Sequence, residues 1–262
     1  MREITSSDNE KLKDFTQLYK TRKLRDERNV CILDGAKLVS DAAKAGHHIR
    51  QLFITDDISE NYMAMAEPAV AACDEYYVLR GKAAHRISDL KAPQGIFAVV
   101  DRPVAVSVGK LAEHDRILGI CGLQNPENAG ACIRTAAALG YDGILVSSDC
   151  ADLWSARASR ASAGTQLSCD IAVTEDFASS VSELNRLGVT TMASALHKKA
   201  ESVDRIGRAG KLFIAIGNEG HGLPAEVIEQ CGRVVLIPMS DSAESLNAAA
   251  AAAILMWELR KK

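Results

Sequence analysis

From Arg116 onward the chain carries five short apolar, β-rich runs separated by helical patterns: Ile117–Cys121, Gly143–Val146, Val189–Met192, Leu212–Ile216 and Val234–Ile237. A strand with one wet face alternates apolar and polar residues. A strand that is apolar throughout must be covered on both faces, as in a parallel sheet flanked by helices. The region therefore reads as an α/β domain, whose sites belong at the carboxyl ends of its strands. The longest apolar stretch, Ala248–Trp257, is mostly alanine and falls well short of the roughly 20 residues that cross a bilayer. No membrane span is expected.

The first hundred residues have a different texture. A helical pattern from Glu10 to Tyr19 leads through a charged stretch to Cys31-Ile-Leu33, a helix over Ala36–Ala45, and strand-like runs at Gln51–Ile54, Tyr76–Leu79 and Gly95–Val100. Residues 1–100 thus predict a small α/β unit. Residues 101–109, with Pro103 and Gly109 and no helical period, predict a linker, and residues 110–262 the second domain. The seven cysteines are odd in number, widely spread and lack a C-x-x-C pair, which argues against a disulfide framework and a zinc site. The six histidines add no metal-binding spacing, so no metal is expected. The start of the chain lacks the apolar core of a secretory signal, which makes the cytoplasm the expected location.

Three strand-to-helix corners are polar. Gln124-Asn-Pro-Glu-Asn-Ala-Gly-Ala-Cys-Ile-Arg134 follows the run ending at Cys121; Asn125 suits a helix cap, Pro126 a first turn and Gly140 a helix end. Arg134 sits among small and apolar residues, either on a wet helix face or aimed at a ligand. Gly217-Asn-Glu-Gly-His-Gly-Leu-Pro224 is glycine-rich, so its backbone can approach a ligand closely, or it is simply the turn before a helix. Its order, G-x-x-G-x-G, is neither the dinucleotide fingerprint nor a phosphate-binding P-loop. Ile237-Pro-Met-Ser-Asp-Ser-Ala-Glu-Ser-Leu-Asn247 precedes six consecutive alanines, with Ser242, Ser245 and Asn247 as candidate caps. A nicotinamide-dependent enzyme would also need an acid on a strand about 20 residues after its fingerprint, and the chain does not supply one.

Taken in order, Asn125–Gly140, Ile216–Pro224 and Ile237–Ala252 resemble the three motifs of the SpoU/TrmH family of RNA ribose 2'-O-methyltransferases, within the SPOUT superfamily. Asn9–Arg25, Leu33-Asp-Gly35 and Pro93–Ala98 are similar to the small substrate-binding domain that precedes the catalytic domain in many members, so the resemblance covers nearly the whole chain. It implies a trefoil knot in the C-terminal domain, a homodimer and S-adenosylmethionine as cofactor. By motif, Gly217, Ile237 and Leu246 match the cofactor-holding positions, and Asn128, Arg134, Glu219, Ser245 and Asn247 the polar active-site positions. Arg134 is the family's usual candidate for activating the ribose hydroxyl. A guanidinium is always protonated and makes a poor base, so an electrostatic role toward a phosphate or a developing alkoxide fits it better. The chain departs from the family pattern at Glu127 and Ala129, usually glycine and valine, and in the alanines after Asn247.

The resemblance points to RNA as partner, with ribosomal RNA preferred over transfer RNA because of the separate N-terminal domain; a non-catalytic RNA-binding protein on the same scaffold is the alternative. The net charge of −3 provides no global basic field, so positive charge must be local. Lys11, Lys13, Lys20, Arg22, Lys23 and Arg25, against Asp14 alone, form such a run, either a solvated helix face or a set of phosphate contacts. Arg157 and Arg160, three apart, would extend it. Twelve aromatic residues in the whole chain offer no evident stacking platform, which leaves RNA shape and backbone as the features to be recognised.

Overall fold

The computed structural model describes residues 1–207, 210–240 and 245–260. The chain divides into two compact units, Met1–Pro103 with Asp152–Leu167, and Val104–Ala151 with Ser168–Lys262. The first unit contains β1 (Arg2–Ile4), α1 (Glu10–Lys20), α2 (Arg22–Arg28), β2 (Val30–Asp34), α3 (Ala36–Lys44), β3 (Ile49–Thr55), α4 (Glu60–Ala72), β4 (Glu75–Leu79) and β5 (Ile96–Asp101). Its mixed sheet runs β1-β4-β3-β5-β2, with β5 antiparallel to both neighbours. Asn9 starts α1 by accepting hydrogen bonds from the Lys11 and Leu12 amides. The helix then buries Leu12, Phe15 and Leu18, one face at helical spacing, against Phe53, Tyr77 and Phe97 of the sheet.

The second unit begins with α5 (Val108–Leu111), β6 (Arg116–Ile120), α6 (Pro126–Ala138) and β7 (Gly143–Ser147). The next helix, α7 (Ala156–Ser162), belongs to the first unit. The second unit resumes with β8 (Asp170–Thr174), α8 (Phe177–Arg186), β9 (Thr190–Ser194), β10 (Glu201–Ser202), β11 (Leu212–Ile216), α9 (Ala225–Gln230), β12 (Arg233–Leu236) and α10 (Ala248–Leu259). Its seven-stranded sheet runs β10-β12-β9-β11-β6-β7-β8 with every pair parallel. Each residue of β6, β7 and β11 is buried, as continuous apolar strands require. The edge strand β8 was not expected, since only three consecutive apolar residues, Ile171–Val173, mark it. Among the described residues no helix is long and apolar enough to cross a membrane. All seven cysteines are free, and burial pushes the Cys132 thiol up to about 12.

Two expectations need correction. Asp152–Leu167 does not continue the second unit: the Ile32 amide donates to the Trp154 carbonyl at 3.1 Å, and Ser159 meets Cys31 at 3.3 Å, so the segment packs on β2. The run of cations is also not a free basic face. Lys11 pairs with Glu75, Lys13 with Asp8, Arg22 with Asp26 and Lys23 with Glu27. Arg25 is buried, its Nε 2.8 Å from Asp152 and one terminal nitrogen 2.9 Å from the Tyr19 carbonyl. Arg157 and Arg160 are held by acids as well, Arg157 by Asp89 and Arg160 by Asp34 and Asp89. Counting charges along the sequence cannot reveal which of them meet a partner after folding.

Removing one member of a buried ion pair leaves the other uncompensated. Arg25→Ala should cost about 3 kcal/mol in chemical denaturation, whereas exposed Lys20→Ala should leave the midpoint within about 0.5 kcal/mol of wild type. Equal effects of the two would contradict the structural role of Arg25.

Candidate active site

The pairing of β6 with β11 runs in register to Ile120 opposite Ile216, so the loops after the two strands emerge side by side. After β6 the chain turns through Gly122 at φ +69°, and Asn125 caps α6 by accepting from the Glu127 amide at 2.8 Å. Asn128 follows in the first turn of that helix. After β11 the loop folds back on itself: the Asn218 amide donates to the Gly222 carbonyl, and the Gly222 amide to the Asn218 carbonyl, each at 3.0 Å. A Cβ on Gly217 would lie 2.3 Å from backbone atoms of Gly222 and Leu223, so no other residue fits without moving the loop.

Asn218, which the sequence reading passed over, holds this arrangement. Its Oδ1 accepts from the Gly220 and His221 amides at 2.8 and 3.1 Å, and its Nδ2 donates to the Gly122 carbonyl at 2.7 Å. One side chain thus shapes the glycine loop and ties it to the first corner. Asparagine between glycines favours local side-chain-to-backbone turns, which is the signal that marks it. Gln124 was also missed; its backbone N–H donates to Glu219 Oε2 at 3.4 Å, and its side-chain Nε2 donates to the Gly122 and Asp149 carbonyls at 3.1 and 2.9 Å.

The third corner supplies Asn247, which caps α10 by accepting from the Ala249 and Ala250 amides at 2.9 and 3.4 Å. Its Nδ2 is left over and donates to Asn128 Oδ1 at 3.1 Å, and Asn128 Nδ2 donates to Glu219 Oε1 at 2.9 Å. Asn247, Asn128 and Glu219 therefore form one hydrogen-bonded chain across all three corners. Burial favours the neutral acid at Glu219, but the bond from Asn128 and bonds from backbone amides outweigh it and hold the carboxyl below its usual range. Glu219 is ionised at neutral pH.

A pocket of about 490 Å³ opens beside this chain. Gly217, Ile237 and Leu246 all line it, as do Glu219 and Ser245. Among the described residues no lysine or arginine lines it, and Glu219 is the one carboxylate there. Arg134 lies elsewhere. Six residues beyond Asn128 on α6, it is exposed, has no hydrogen-bond or ion-pair partner among the described residues, and borders a separate hollow with Thr135, Ala253, Ile254 and Trp257. Within one chain the structure brings together seven of the eight expected site residues and leaves Arg134 apart. Ser242, a candidate cap, lies outside the described residues. Among the described residues no group of three or more His, Cys, Asp or Glu side chains could hold a metal ion.

Two family models match successive parts of the chain. The SpoU rRNA Methylase family matches residues 115–257, and an MRM3-like substrate binding domain matches residues 9–98. The chain is 31% identical to the 23S rRNA (guanosine(2553)-2'-O)-methyltransferase RlmP of Bacillus subtilis over 260 residues, 99% of this chain and 100% of that protein. Among solved structures, an AdoMet-bound rRNA methyltransferase from Sinorhizobium meliloti superposes with a TM-score of 0.83 at 27% identity, covering 98% of this chain and 96% of that one. A putative RNA methyltransferase of the TrmH family from Porphyromonas gingivalis gives a TM-score of 0.77 at 25% identity, covering 94% and 96%.

The hydrogen-bonded chain makes a local prediction. Asn128→Ala removes the leading side-chain donor to Glu219, so the carboxyl pKa should rise toward its ordinary value. A carbon-detected NMR titration of Glu219 reads this directly, and an unmoved titration would show that the backbone amides alone hold the charge.

Proposed function

The protein belongs to the SpoU rRNA methylase family, and on that premise we propose that it methylates RNA at a ribose 2'-hydroxyl with S-adenosylmethionine as donor, ribosomal RNA being preferred over transfer RNA. One observation carries the reading: the Asn247–Asn128–Glu219 chain borders a pocket walled by Gly217, Ile237 and Leu246. The pocket suits the cofactor chemically. A nucleoside without phosphates calls for no lysine or arginine, and none lines the pocket among the described residues. The sulfonium and ammonium groups are cationic, and the carboxylate at the wall among the described residues is that of Glu219. Gly217 lets the loop fold back on itself at the pocket wall, where a Cβ would collide with Gly222 and Leu223, while Ile237 and Leu246 offer apolar cover.

The cofactor, when bound, supplies an electrophilic methyl group. The residues around it have to place the hydroxyl in line and deal with its proton. Glu219 is a poor proton acceptor, because the hydrogen bonds that hold it already stabilise its charged form. We assign it, with Asn128 and Asn247, to orienting groups, and place Ser245 at the rim as a hydrogen-bonding partner for the incoming ribose. Arg134 keeps the electrostatic role toward phosphate or developing alkoxide, and the proton passes to phosphate or water.

We further propose a homodimer, a trefoil knot and a cytoplasmic location. Ile254 and Trp257 are 39% and 52% exposed on α10, beside the small side chains of Ala253 and Ala138 and next to Arg134. That apolar face is one a second copy would cover, bringing Arg134 to the interface rather than to its own chain's pocket. The knot is supported by connectivity: α10 follows β12, near one end of the sheet, yet returns to pack on α6, which follows β6.

Transfer of labelled methyl to ribosomal RNA from cells lacking the gene, followed by mapping of the 2'-O-methyl site, tests the reading. Cofactor binding without transfer to any RNA would favour the non-catalytic alternative. Arg134→Ala should keep cofactor affinity within about twofold by calorimetry while turnover falls by about 100-fold or more; unchanged turnover would remove the role assigned to it. Trp257→Glu should shift sedimentation from dimer to monomer and lower activity with it, and a dimer that survives the substitution would place the interface elsewhere.

A further inference from the structure

In the first unit, Asp89 gathers an unusual set of donors. Arg157 Nε lies 2.6 Å from one of its oxygens, while an Arg160 terminal nitrogen at 2.8 Å and the Tyr19 hydroxyl at 2.6 Å meet the other. Directly beside it, the buried Asp34 Oδ2 accepts from Arg160 at 2.8 Å, Ser88 at 2.7 Å and the same Tyr19 hydroxyl at 2.9 Å. Tyr19 has one proton for two carboxylates, so at any moment one of these contacts sets oxygen against oxygen. The Asp34 Oδ1 is buried without a hydrogen-bond partner among the described residues. The cluster therefore has more acceptors than it can satisfy. Asp34 cannot leave, since its side chain is fully buried, whereas Asp89 stands on an exposed loop.

Asp89 resembles a substrate group in charge and shape. A carboxylate and an RNA phosphodiester each carry one negative charge over two outer oxygens, and guanidinium N–H groups make charge-assisted hydrogen bonds to either; here Arg157 and Arg160 each give Asp89 one such bond. We propose that Arg157 and Arg160 form a docking point for an RNA backbone phosphate, occupied in the free protein by Asp89 as an internal competitor. This rests on the RNA reading above and names the surface by which the first unit meets that substrate. When Asp89 is displaced, Asp34 still balances Arg160, and Arg157, with 59% of its side chain exposed, faces the incoming phosphate. Lys91, two residues beyond Asp89, and Lys20, next to Tyr19, are exposed and have no ion-pair partner among the described residues, which leaves both for flanking phosphates. The competitor lowers affinity for arbitrary RNA, so that only a substrate with further contacts is retained.

The experiment is a salt titration of binding to a labelled ribosomal RNA fragment, read by fluorescence anisotropy with the full chain. Asp89→Asn keeps the shape and an acceptor for the arginines but removes the charge. It should bind about fivefold tighter at low salt, with a log–log salt slope steeper by about one. Arg157→Ala should weaken binding, and the double variant should lose the gain of Asp89→Asn. Asp41→Asn, which frees Lys37 from a surface pair, controls for net charge. Unchanged or weaker binding by Asp89→Asn, or an equal gain in Asp41→Asn, overturns the proposal. Binding and methyl transfer by the wild type without that gain would sink this inference alone, while a wild type that neither binds nor methylates RNA would sink the RNA reading itself.

Discussion

The parallel pairing of β6 with β11 underlies everything at the site. Because Ile120 and Ile216 end their strands opposite each other, the loops that follow leave the sheet together, and the Asn218 side chain can reach the Gly122 carbonyl. On one side β6 continues to β7 and β8; on the other, β11 continues to β9 and β12. The strand order turns around at this pair, the place where an open parallel sheet leaves a crevice for a ligand. The third corner enters from β12, two strands away from β11, and is drawn in by the bond from Asn247 to Asn128.

Much of the second unit could be read in the chain. Runs such as Leu212–Ile216 are apolar at every position because both faces are covered, and the structure buries all five residues. Asp170–Thr174 escaped the same reading because its apolar run, Ile171–Val173, is only three residues long; the strand lies at an edge, with Val173 53% exposed. The three polar corners were recognisable because caps and tight turns have particular residue requirements. How their side chains bond to one another was not, since Asn247 and Asn128 are 119 positions apart and nothing local couples them.

The first unit shows where composition misleads. A run of six cations on and after one helix suggests an open basic face, yet Lys11, Lys13, Arg22 and Lys23 each meet an acid and Arg25 is buried on Asp152. Acids at positions 8, 26, 27, 75 and 152 do the pairing, and two of these are remote in sequence. The positive charge that matters for an anionic partner is set by which cations folding leaves uncompensated. By that measure the exposed Lys20 and Lys91 count for more than the dense run.

The detour of the chain through Asp152–Leu167 bears on how the molecule is made. The segment that completes the N-terminal unit is delivered only after β6, α6 and β7 have been synthesised. A nascent chain that has reached Pro103 still holds Arg25 without its carboxylate and β2 without α7. Maturation of the two units is consequently interleaved rather than sequential, and a fragment cut at the apparent linker would be an unfinished object rather than a free-standing module.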